Sequence, residues 1–159
     1  MKEYAIEIKW AIIFAVFGLA WMYMEKLLGW HDELIEKHVY YTMLFIVPAV
    51  ALTVMAILDK RRNFYNGLMT YGQGFKTGFF LTVFITILSP LTQYITSVYI
   101  TPGYFPNAIN YAVSSGQLTQ EAAEAYFNVK SYMINSTIGG LIMGTLTSAL
   151  VAIFTRKSA

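Results

Sequence analysis

The chain contains no cysteine, which excludes disulfide frameworks and thiolate metal sites together. It is nearly as poor in charge. Asp, Glu, Lys and Arg make up 13% of its 159 residues, where a soluble domain carries about 25%. The net charge is only +2, and no basic run is interleaved with stacking residues, so nucleic acid is not an expected partner. No Ser–His–Asp arrangement, HExxH, P-loop or glycine-rich dinucleotide turn occurs. The apolar stretches offer hydroxyls and amides but no acid, base or strong nucleophile at depth. The expectation is a protein that is not an enzyme, with no catalytic, cofactor-binding or metal residues and no cofactor.

What is abundant is apolar surface. Hydrophobic residues account for 57% of the chain, and the few charges are segregated. Val39 to Leu58, Thr77 to Thr101 and Ser131 to Thr155 contain none. About 20 such residues cross the hydrocarbon layer as a helix. The start, "MKEYAIEIKWAIIFAVFGLAWMYMEK", mimics a secretion signal. Its apolar stretch is long for that role and no A-x-A-like site follows, so it reads as a retained first span. The fold class expected is an all-α membrane protein forming one domain over 1–159. It is a four-transmembrane-helix bundle with spans near 9–27, 39–58, 74–98 and 132–154.

Orientation follows from the cations. Lys2, Lys9, Lys60, Arg61, Arg62, Lys76, Arg156 and Lys157 fall on one side, and only Lys26, Lys37 and Lys130 on the other. By the positive-inside rule both termini are expected to be cytoplasmic. The loop "DKRRN" reads as a topology anchor, with contact to anionic lipid as the alternative. Thr70-x-x-Gln73 is a capping box that starts the third helix near Tyr71. Between the third and fourth spans, 105–131 is expected to form a helical hairpin on the outer face. Pro106 suits a first helical position, Gly116 a helix end and Thr119 a second cap, with that second helix continuing into the fourth span. The hairpin reads as an interfacial cover, or alternatively as a lid.

Two patterns inside the spans are candidate functional features. In "TILSPLTQYITS", Thr82, Thr86, Ser89, Gln93 and Thr96 recur at helical spacing around Pro90. They form one polar face of a proline-kinked helix rather than a loop. That stripe serves either as packing glue or as a small-solute pocket with Gln93 as the recognising group. Pro48 is expected to kink the second span in the same way, and paired kinks leave room for a cavity. On the fourth span Ser136, Gly140, Gly144 and Ser148 form a ridge of small residues, echoed by Gly74, Gly78 and Thr82. The ridge meets either a helix of the same chain or a second copy.

"MEKLLGWHDELIEKH" holds both histidines, His31 and His38. On a helix, seven residues separate them by about 10 Å, too far to share one metal ion. A turn at Gly29 brings His31 toward Glu25, making Glu25 and His31 a candidate proton-linked pair. The bland reading is a solvated connector.

Taken together, "EKLLGWHDELIEKH", "LDKRRNFYNGLMTYGQGFKTG", "TILSPLTQYITS", "TPGYFPNAINYAVSSGQLTQEAAEAYFN" and "GTLTSALVAIFTRK" resemble the family known as domain of unknown function 4199. The resemblance covers nearly the whole chain. It implies a small four-span protein of the bacterial inner membrane and supplies no activity and no site residues. The functional expectation is therefore a non-enzymatic accessory or structural subunit, a possible homo-oligomer or part of a larger membrane complex, with the lipid bilayer as its first partner. The alternatives are a small transporter or channel-like protein with its pocket at Gln93, and a periplasm-facing sensor or regulator.

Overall fold

The computed structural model describes residues 2–157. Helices α1 (Ala5–Leu27), α2 (His38–Thr42), α3 (Ile46–Asn63), α4 (Tyr71–Ile95), α5 (Tyr104–Ser114), α6 (Gln120–Tyr126) and α7 (Val129–Thr155) follow in that order. No strand occurs among the described residues; one isolated bridge pairs Met69 with Lys157. Four stretches are long and apolar enough to cross a membrane: Ala5–Leu27, Ile35–Asn63, Tyr71–Ile100 and Val129–Thr155. Each is longer than its sequence-based range, because the helical backbone continues past the apolar run into polar and charged residues such as Glu7, Asp59 to Asn63 and Lys130. Ile12, Val16, Val47, Ile87, Leu91, Ile142, Leu146, Leu150 and Phe154 all point outward. An apolar skin of that size suits hydrocarbon and not water. The protein is a multi-pass membrane protein.

Helix starts obey local chemistry. Gln73 N–H donates to Thr70 Oγ1 at 3.3 Å and Thr70 N–H to Gln73 Oε1 at 2.8 Å, which closes the capping box of α4. Thr119 caps α6 and Asn128 caps α7 through their side-chain oxygens. The second of these corrects an expectation: α6 does not run on into the fourth span. The chain breaks at Phe127, and Asn128 Oδ1 accepts the Ser131 N–H at 2.9 Å. Asn competes for backbone donors and so restarts the helix. Pro106 is the third residue of α5 rather than its first, and Gly116 (φ +71°) follows the end of that helix.

The prolines act as their chemistry demands. Pro90 lies within α4, and the carbonyl of Thr86 that it frees accepts from Ser89 Oγ at 3.0 Å. Pro48 is the third residue of α3, immediately after a 3-10 turn at Met43–Phe45. That turn lies where its ring would otherwise clash with the Leu44 carbonyl.

Helix α4 is central, packing on α1, α3 and α7. Its contact with α7 is a zipper of small residues running in opposite directions along the two helices. A Cβ on Gly74 would stand 3.3 Å from Ala152 Cβ, one on Gly78 2.6 Å from Ser148 Cβ, and one on Gly144 2.5 Å from Thr82 Cγ2. Backbones this close exclude larger side chains. Gly144 and Ser148 therefore meet a helix of the same chain.

One end of the bundle gathers the start of α1 and the end of α7. Glu7 and Lys60, each 2% exposed, pair at 2.9 Å. Lys60 Nζ also donates to the Glu3 carbonyl and stands 4.0 Å over the Phe64 ring. Lys9 and Trp10 both donate to Asp59, and Arg61 Nη1 donates to the Thr155 carbonyl at 2.8 Å. The hairpin α5–α6 lies at the opposite end.

Candidate functional site

The hairpin end is built around one carboxylate. Trp21 and Glu25 lie one turn apart on α1, on one face, and Trp21 Nε1 donates to Glu25 Oε1 at 2.6 Å. Beyond Leu27 the chain reverses at Gly29 (φ +72°), where only glycine is unstrained. The Gly29 carbonyl accepts the Leu34 N–H at 2.8 Å. The turn lays His31 Nε2 3.0 Å from Glu25 Oε2. Its partner His38 opens α2, with Nε2 3.5 Å from the same oxygen. Glu25 is fully buried and His31 is 2% exposed, so this is not a solvated connector. The two imidazole rings stand 5.0 Å apart, not the helical spacing expected of them, because residues 28–37 form a turn and a 3-10 segment rather than α-helix.

The hairpin holds this cluster shut. Asn107 Nδ2 on α5 donates to the His31 carbonyl at 3.0 Å. The Tyr104 hydroxyl lies 3.4 Å from His38 Nδ1 and 3.1 Å from the Tyr132 hydroxyl on α7. Burial pushes the Tyr104 phenol above its ordinary range, so it stays protonated and keeps its hydrogen. Two atoms of the cluster, His31 Nδ1 and His38 Nε2, are buried without a hydrogen-bond partner.

Directly beneath, toward the middle of the bundle, lies a cavity of about 320 Å³. Trp21 is shared by the cluster and the cavity wall. The other walls are Gly18 of α1, Thr42 and Phe45 before α3, Ser89, Thr92, Gln93 and the following Thr96, and Ser136 and Gly140 of α7. The cavity thus lies beside Thr42 and Phe45, ahead of Pro48, and beside Ser89, Thr92 and Gln93, on either side of Pro90. Gly18 and Gly140 have no atom within 4 Å of where a Cβ would stand, so these glycines face space rather than another backbone.

The polar stripe is divided by this cavity. Thr82 is buried against Ser148, 3.4 Å between hydroxyls, and Thr86 Oγ1 donates back to the Thr82 carbonyl at 2.7 Å. Ser89 Oγ lies 3.0 Å from Thr137 Oγ1 on α7 and also borders the cavity. Gln93 Nε2 donates to Ser97 Oγ at 3.0 Å within the wall. Thr96 is 5% exposed, whereas Ile87, Leu91 and Tyr94 on the other face are exposed. Pro90 is half-buried and lines no part of the cavity. The small-residue ridge divides at the same level: Ser136 and Gly140 border the cavity, and Gly144 and Ser148 close on α4.

Sequence reasoning singled out Glu25 and His31 but not Trp21, Tyr104, Asn107 or Tyr132. The Trp21–Glu25 spacing of four residues was the one available signal. The other three lie far along the chain and reach the cluster through the hairpin fold. No match is found among curated proteins or solved structures. The family model described as protein of unknown function (DUF4199) matches residues 9–157, nearly the whole length described above, and the chain belongs to that family.

Proposed function

We propose that this is a non-enzymatic, multi-pass protein of the bacterial inner membrane, with both termini cytoplasmic, that binds a small solute in the cavity at Gln93 as a carrier. The observation that carries this reading is the hollowing of the polar stripe. Hydroxyls and one amide that elsewhere pack helix to helix here border about 320 Å³ of space, within the size range of small-molecule sites. Phe14, Leu19 and Phe45 supply apolar walls. The solute is therefore largely apolar with one hydrogen-bonding group, for which Gln93 is the partner. Lys and Arg crowding at the terminal end supports the orientation, and the resemblance to small bacterial inner-membrane proteins supports the location.

The accessory or structural-subunit reading draws support from the solid packing of Thr82, Gly144 and Ser148 within the chain, where that part of the stripe serves as glue. A substitution separates the two. Gly140 borders the cavity, and a Cβ there meets no atom within 4 Å, so leucine at this position places its side chain in the cavity. Native mass spectrometry of wild type in mild detergent should show a retained small-molecule adduct that Gly140→Leu, equally stable to heat, has lost. Identical spectra for the two proteins, with a protein partner retained by both, would favour the subunit.

A further inference from the structure

We propose that Glu25, His31 and His38 bind one divalent transition-metal ion of the zinc class at the hairpin end of the bundle. This goes beyond the solute-binding reading and stands without it, since the ligands lie outside the cavity. The two histidines and the carboxylate each offer a ligand atom, and these atoms all fall within 4.8 Å of one another. Ligands at 2.0–2.2 Å from a tetrahedral ion are separated by about 3.4 Å. Glu25 Oε2 stands 3.0 Å from His31 Nε2 and 3.5 Å from His38 Nε2, so both imidazole nitrogens already lie near that spacing from the one carboxylate oxygen.

The surroundings prepare these atoms for a cation. Trp21 occupies Glu25 Oε1 and leaves Oε2 directed at the imidazoles. The Tyr104 hydroxyl holds His38 at Nδ1; when that nitrogen carries the proton, the Nε2 lone pair faces the carboxylate. His38 Nε2 is buried and makes no hydrogen bond. In that tautomer the lone pair and the carboxylate oxygen, 3.5 Å apart, repel each other, and an ion between them removes the conflict. Outer partners of this sort fix the tautomer and ring orientation of metal-bound histidines. Two imidazoles and one carboxylate suit zinc and its first-row neighbours and not magnesium or calcium, which take oxygen. His38 and Tyr104 also line a groove of about 260 Å³ between the hairpin and α2, which gives an ion its access.

The test uses untagged full-length protein in detergent, stripped with chelator and titrated with zinc chloride. One ion per chain should bind with micromolar or tighter affinity, magnesium should not compete, and Glu25→Gln or His31→Ala should weaken binding at least ten-fold. The chain has only two histidines, so the imidazole resonances of the unsubstituted protein report the site even where a variant fails to fold. Both should shift together and saturate at one equivalent of zinc. Imidazoles that do not respond, or binding unchanged in both variants, would overturn the proposal and leave a cluster held by protons and water alone.

Discussion

Glu25 and Lys60 pose the same physical problem at opposite ends of the bundle. A charge removed from water costs several kcal/mol unless paired and hydrogen-bonded. Lys60 is served by Glu7, the Glu3 carbonyl and the Phe64 face. Glu25 is served by Trp21 and two imidazoles. Breaking the first pair with Glu7→Gln leaves a buried ammonium without its counter-charge, and thermal unfolding in detergent should report a loss of about 3–5 kcal/mol. The double change Glu7→Leu with Lys60→Met removes both charges and should recover most of that loss. A double variant as unstable as the single one would show that the pair's geometry, not its charge, matters. Trp21→Phe deletes one donor to a buried carboxylate and should cost about 1.5–3 kcal/mol, measured the same way. Of these partnerships only that of Glu25 with His31 was read from the sequence, through the turn at Gly29. Glu7 and Lys60 are far apart along the chain and look like ordinary interface charges until α1 and α3 are packed.

At the scale of the helix, much was legible, because the signals are local. The Thr70–Gln73 capping box, the Thr119 cap and the rescue of the Thr86 carbonyl next to Pro90 all depend on residues within four positions of one another. The continuation of α6 into α7 failed for an equally local reason: Asn128 is a better cap than helix interior. The spacing of polar and small residues showed which faces turn inward but not which stretches close and which stay open, since that depends on how α1, α4 and α7 meet across the bundle. Two glycines of α7 make this measurable. Gly140→Ala meets nothing and should stabilise by about 0.5–1 kcal/mol, through reduced freedom of the unfolded chain. At the next position of the ridge, Gly144→Leu drives a side chain into Thr82 and should destabilise by about 1–3 kcal/mol or more. Equal thermal stabilities for the two variants would contradict the division of the ridge.

As a whole, the molecule is a bundle packed solid at one end and hollow toward its hairpin end, with Trp21 joining the hollow to the Glu25 cluster. Because the chain contains no cysteine, single cysteines report position cleanly. Asn63→Cys and Ser114→Cys should label from opposite sides of the membrane, and labelling from one side would overturn the proposed topology. The central claim is that the polar stripe changes from packing surface to cavity wall between Thr82 and Gln93. Its most direct measurement is the reactivity of Gln93→Cys and Thr82→Cys, one at a time, toward a small polar methanethiosulfonate reagent in native membranes. The account predicts rapid modification at position 93 and none at position 82. Two silent cysteines, or two that react alike, would contradict it.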